Sequence, residues 1–116
     1  MRLPQIESVF VPPEKVVDYL LSATHPHGRH KAKFFTALGF LPENWETLAD
    51  ALRRHAAEHD VVKIEATNFG MRFVVECIIN TPDGRFPCLR TVWFVDEGEE
   101  TPRFVTAHPL KRDRSC

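Results

Sequence analysis

No stretch of this chain approaches the roughly 20 consecutive apolar residues that a membrane-spanning helix requires, and the N-terminus lacks the charged-then-apolar pattern of a secretory leader. Membrane association is therefore not expected. CxxC spacing is missing too: the cysteines are Cys77, Cys88 and Cys116. An odd count without a leader predicts reduced thiols and a cytoplasmic protein, with Cys77 and Cys88 as inert small hydrophobes inside strands. The chain has no internal repeat or low-complexity segment. Net charge is almost absent, and a formal total of −1 argues against bulk coating of nucleic acid. That total hides local imbalance. Arg29, Lys31, Lys33 and Lys111, Arg112, Arg114 are basic, whereas Asp96, Glu97, Glu99 and Glu100 are acidic.

What is present suffices for one hydrophobic core: 116 residues with 43% hydrophobic content predict a single domain over 1–109 and a basic C-terminal tail over 110–116. Residues 1–12 read as an extended lead-in. Pro13 at a first helical position, with Val16, Val17, Leu20 and Leu21 at helical spacing, predicts a helix over about 13–22. Ala32, Phe35 and Leu38 mark a second helix closed by Gly39. Trp45, Leu48, Ala49, Leu52 and Ala56 mark a third over about 43–58, whose last turn gains charge from Arg53, Arg54 and His55 to complement the dipole. His55 and His59 are read in that dipole role. From Val61 the period becomes two, predicting strands over 61–69, 71–80, 86–95 and 103–108. The expected fold class is α+β: three N-terminal helices followed by a four-stranded antiparallel meander, with the helices packed on one sheet face.

The central hairpin can be registered. If Pro82-Asp83-Gly84 is a three-residue loop with Gly84 left-handed, Thr81 faces Arg85, and Phe73, Val75, Cys77 and Ile79 share the helix-covered face with Leu89, Thr91, Trp93 and Val95. The opposite face then carries Arg72, Val74, Glu76 and Ile78 against Phe94, Val92, Arg90 and Cys88, with Glu76 directly across from Arg90. Extending the same symmetry to the last strand sets His108 across from Arg90 and Thr106 across from Val92. Charges amid apolar strand residues are costly unless paired or used.

The most chemically loaded stretch is His25-Pro26-His27-Gly28-Arg29-His30-Lys31-Ala32-Lys33-Phe34-Phe35, at the start of the second helix. Together with Glu76, Arg90, Thr106 and His108 it supplies a set able to cleave RNA without metal or other cofactor. A glutamate or imidazole would remove the 2′-hydroxyl proton, another imidazole would protonate the leaving oxygen, and Lys31 and Arg90 would stabilise charge on phosphorus. Arg29 and Arg72 are candidate substrate contacts. Phe94 is the candidate to stack on a base, since Trp93 falls on the core face. His25, His27 and His30 have zinc-binding side chains, but Pro26 and Gly28 leave their geometry open and no fourth ligand is evident. The bland alternative is a Glu–Arg pair on a solvated face, an unrelated surface histidine and a solubilising lysine.

The segments His25-Pro26-x-Gly28-Arg29-x-Lys31-Ala32-x-Phe34-Phe35, Leu38-Gly39-Phe40, Arg90-Thr91-Val92-Trp93 and Val105-Thr106-Ala107-His108-Pro109 resemble a small bacterial family catalogued as a domain of unknown function, some of whose members lie near toxin–antitoxin genes. His108 stands where a tyrosine is more usual. The layout is similar to the superfamily of barnase, colicin-type, EndoU-like and RelE-like ribonucleases. That resemblance implies Lys31, Glu76, Arg90 and His108 in barnase-like order, with His25 and Thr106 acting together as in toxin-like branches. It implies a toxin-type endoribonuclease whose partners are RNA and a protein antitoxin. The alternative is a non-catalytic toxin-system partner, or a ligand-binding module with a helix-on-sheet cone.

Overall fold

Proline at the first helical position starts α1 (Pro13–Lys15), but the α turn widens at once into a π turn over Val16–Leu20, closed by the Leu21 N–H donating to the Val16 carbonyl at 2.8 Å. The expected helix over 13–22 is therefore one α turn plus one π turn. Its apolar residues Val16, Leu20 and Leu21 are buried, so packing holds a turn that local hydrogen bonding alone would not favour. The structure, a computed structural model, describes residues 1–111. Most of the predicted basic tail, with Arg112, Arg114 and Cys116, lies outside the described residues.

The second helix, α2, spans Arg29–Ala37 and buries Ala32 and Phe35; Gly39, at φ +100°, lets the Phe40 N–H return to the Phe35 carbonyl at 3.2 Å and end it. A 3₁₀ turn over Pro42–Asn44 leads into α3 (Trp45–Glu58), whose stripe Leu48, Ala49, Leu52, His55 and Ala56 is buried. The chain is thus α+β, with one of its three helices short, a 3₁₀ turn at Ile6–Ser8 inside the lead-in expected to be extended, and a second at Pro42–Asn44 where the third helix is expected to begin. The lead-in packs as expected through Leu3, Val9 and Val11.

Four strands follow as an antiparallel meander in the order β1 (Val61–Thr67), β2 (Gly70–Ile78), β3 (Cys88–Asp96), β4 (Arg103–Pro109). The β2–β3 register is the predicted one, with Glu76 opposite Arg90, Phe73 opposite Trp93 and Cys77 opposite Leu89. The connection is wider than three residues because Phe86 adopts φ +50° and delays β3 to Cys88; Gly84, at φ +76°, takes the left-handed position. Its tight end is held by the Thr81 hydroxyl, which accepts the Arg85 N–H at 3.2 Å and donates to Asp83.

On β4, Thr106 pairs with Val92 and His108 with Arg90, while a register shift makes Phe104 pair with Trp93. Val105 is the extra residue. The bulge turns Phe104 into the core, edge-on to Trp93 at 5.4 Å, and leaves Thr106 and His108 on the opposite face. α3 packs over β2 and β3, and α1 and α2 lie against β4.

Two local expectations are corrected. His55 is not part of a charged last turn: it belongs to the buried stripe of α3 and lies 2% exposed, with Nδ1 bonded to the Thr91 hydroxyl at 3.0 Å and Nε2 to the Cys77 carbonyl at 2.9 Å. Burial, with the His59 charge adding to it, pushes His55 down to about 4 against the two backbone carbonyls and Glu58, so it is a neutral core residue. His59 alone reaches a late carbonyl, that of His55. Cys77 is disulfide-bonded, against the expectation of reduced thiols throughout; an odd count without CxxC spacing does not forbid a bridge. Among the described residues no helix is long and apolar enough to cross a membrane.

Candidate functional site

The loop before α2 is tied by side chains to its own backbone. The Ser22 hydroxyl accepts the N–H groups of Thr24 and His25 at 3.4 and 3.2 Å, and Nδ1 of His25 accepts those of His27 and Gly28 at 3.0 and 2.9 Å. With Nδ1 accepting, the proton of the neutral ring sits on Nε2, and the imidazole offers an N–H donor on its other side. Gly28 is required by contact, not by torsion: a Cβ there would lie 2.1 Å from the Tyr19 carbonyl oxygen. That close approach seats the loop on α1, and the His25 ring meets the Tyr19 ring edge-on at 5.1 Å.

Lys31 is the hub. Its ammonium donates to the Tyr19 hydroxyl at 2.7 Å and to the Thr106 hydroxyl at 2.9 Å, and those two oxygens are themselves 3.1 Å apart. Three elements, the π turn, α2 and β4, meet in this triangle. Burial pushes the Tyr19 phenol up, but hydrogen bonds to Lys31 and Thr106 and the charges of Lys31 and Lys15 outweigh it, and its pKa is lowered. An open cleft of about 610 Å3 lies beside the triangle, with Tyr19, His25, His27, Thr106 and His108 in its wall and Asp18 at its side.

On the sheet face away from the core, the Arg90 Nε donates to Glu76 at 2.6 Å, with the Glu76 side chain only 10% exposed. Arg72 pairs with Glu65 at 2.5 Å, and Arg103 pairs with Asp96 at 2.8 Å while lying over the Phe94 ring. His108 shares this face. Burial, then the positive charges of Lys31, Arg90 and Arg72, lowers its pKa, which favours the neutral imidazole.

The structure thus brings His25, Lys31, Thr106 and His108 together, with Arg90 and Arg72 near enough to act on His108. Glu76 is held by Arg90, and Phe94 lies under Arg103. Arg29 is separate: it lines another depression with His30 and Lys33. Among the described residues, no group of three or more His, Cys, Asp or Glu side chains converges as a metal site. The residue that sequence reasoning missed is Tyr19. Its one available signal is that it is the single tyrosine of the chain, interrupting an apolar helical stripe.

This arrangement of helices on a four-stranded meander is similar to a chain of the contact-dependent growth inhibition toxin–immunity protein complex from Klebsiella pneumoniae 342, with a TM-score of 0.74 and 21% identity over 92% of this chain and 97% of that one. At that identity the likeness defines the fold. The sequence goes further: residues 2–111 match the family described as Domain of unknown function (DUF6883), and the chain belongs to that family. No curated protein matches it in sequence.

Proposed function

We propose that the chain is a metal-independent endoribonuclease of toxin type, cleaving RNA by general acid/base attack of a 2′-hydroxyl on the adjacent phosphate. The observation that carries this reading is the Lys31 hub, a cation joined to a phenol of lowered pKa and a threonine hydroxyl at the wall of an open cleft that also holds three imidazoles. In this scheme the neutral His108 takes the 2′-hydroxyl proton as the 2′-oxygen attacks phosphorus. Lys31 and Arg90 stabilise the charge that develops there, and Thr106 orients the phosphate. His25 donates a hydrogen bond from Nε2, because the two N–H bonds on Nδ1 suit a donor role better than a base role. Tyr19 protonates the departing 5′-oxygen, and the resulting phenolate is held by Lys31. The products are a 2′,3′-cyclic phosphate and a 5′-hydroxyl. Glu76 then serves by orienting Arg90, while Arg72 contacts substrate and Phe94 lies farther out along its path; Arg29, in its own depression, takes no part in this scheme.

The fold neighbour is a toxin–immunity complex, which favours a component of a toxin system and a protein partner, an antitoxin, beside RNA. The reading assigns the action to the cytoplasm, where RNA is met. The same neighbour also supports a non-catalytic partner role, and one assay separates the two. Purified protein is incubated with total RNA in EDTA, beside Lys31→Met and His108→Ala. The nuclease reading expects fragments ending in 2′,3′-cyclic phosphate, formed about 10²-fold more slowly by either variant. An RNA profile identical to the blank would sink it and leave the partner role.

A further inference from the structure

β1 is an edge of the sheet, and strand edges invite pairing unless they are blunted. This edge is blunted at its start, where the Met1 carbonyl accepts the Val61 N–H at 2.7 Å and the register against β2 shifts at Val62. Beyond that point it presents Val62 and Ile64, 52% and 43% exposed, with Lys63 and Glu65 flanking Ile64. Lys63 and Glu65 pair with Val74 and Arg72 on β2, so both stand on the sheet face that carries Glu76 and Arg90.

We propose that β1 pairs antiparallel with β1 of a second copy of this chain, about a two-fold axis at Ile64, joining the two sheets into one. The register follows from parity and charge. A two-fold axis normal to the sheet keeps every side chain on its own face, so the axis must pass through a residue. Centred on Lys63 it would oppose two lysines, and centred on Glu65 two glutamates, each repulsive. Centred on Ile64, Lys63 of each copy meets the partner's Glu65, while Ile64 meets its own counterpart; the regular run 63–67, beyond the register shift at Val62, supplies the pairing. Two attractive pairs form on one face and an apolar Ile64 pair on the other. Glu65 already accepts Arg72 at 2.5 Å and lies 3.8 Å from Lys63 of its own strand, and a carboxylate has lone pairs for a further donor. The strand is isologous with itself, as a closed dimer requires.

A contact of one short strand falls below the roughly 1,200 Å2 of stable complexes, so the dimer should be weak and appear at hundreds of micromolar or below. Sedimentation velocity on the full chain across that range tests it. The expected result is a monomer–dimer equilibrium that Lys63→Glu or Glu65→Lys each weakens about tenfold or more by setting like charges opposite one another. An equimolar mixture of those two variants should associate again, because every opposed pair in the mixed dimer is then of opposite sign, and the double variant should recover on its own. Circular dichroism melting checks that each variant is folded, and the double variant carries the test if a single one is not. A wild-type chain monomeric throughout, association indifferent to both reversals, or a mixture that fails to recover would each overturn the proposal. None of these readings depends on RNA cleavage.

Discussion

The Lys31 ammonium donates to the Thr106 hydroxyl across 2.9 Å, joining residues 75 positions apart and tying α2 to β4 beside the cleft. Replacing Lys31 with methionine keeps the length of the side chain and removes the charge. Cleavage of RNA is expected to fall by about 10²-fold, a usual cost of losing one preorganised cation or donor at a transition state. Tyr19 and Thr106 remain within hydrogen-bond distance of each other, so the melting temperature should move little. Kinetics and thermal melts on the same sample check both halves.

Because the chain has one tyrosine, absorbance titration of the phenol reads Tyr19 directly. The folded protein should titrate below the ordinary value of 10.0, since the bonds and charges around Tyr19 outweigh its burial. In Lys31→Met, burial is less opposed and the midpoint should rise. A midpoint unmoved by that substitution would separate Tyr19 from the hub.

Gly28→Ala forces a Cβ to within 2.1 Å of the Tyr19 carbonyl oxygen, so loop and π turn must part. A loss of about 1–3 kcal/mol in urea unfolding is expected, together with reduced cleavage. Gly84→Ala, by contrast, meets nothing within 4 Å and is strained only by its φ of +76°, so stability should fall by about 1 kcal/mol with cleavage unchanged.

His55 makes stability depend on pH. Its folded pKa of about 4 lies below the ordinary 6.5, so between those values the unfolded chain binds more protons and stability rises with pH. The contribution is full above about 6.5 and falls as pH drops toward 4, a loss on the order of 3 kcal/mol. Urea unfolding at several pH values should show that slope, and His55→Leu should flatten it while leaving the Thr91 hydroxyl to the Trp93 N–H, which it already accepts at 2.9 Å.

Arg90→Gln tests the sheet-face cations. If Arg90 meets one phosphate, the dependence of log affinity on log salt should become shallower by about 0.7, the single-strand value, for any RNA sequence. An unchanged slope would remove Arg90 from the binding surface.

The sequence alone determined the strands, most of α2 and α3, and the registers that oppose Glu76 to Arg90 and His108 to Arg90. Alternation with period two, combined with a turn of known parity, leaves one β2–β3 pairing that buries Trp93 and Val75 together; the extension to β4 holds for His108 and Thr106 and fails at Trp93, where the bulge at Val105 shifts it. The candidate site was legible only in part. His25 and Lys31 stood out by residue type, but nothing nearby in sequence signalled Tyr19, and the dipole reading of His55 ignored that its spacing from Leu48 and Leu52 puts it on the buried stripe. Tertiary structure decided the rest. The i→i+5 turn that carries Tyr19, the bulge at Val105 that separates Phe104 from Thr106, and the bond from Lys31 to Thr106 all depend on how α1 and α2 seat against β4. Such contacts join residues far apart in the chain, and no periodicity records them, because each is set by the packing of whole elements and not by the spacing of neighbours.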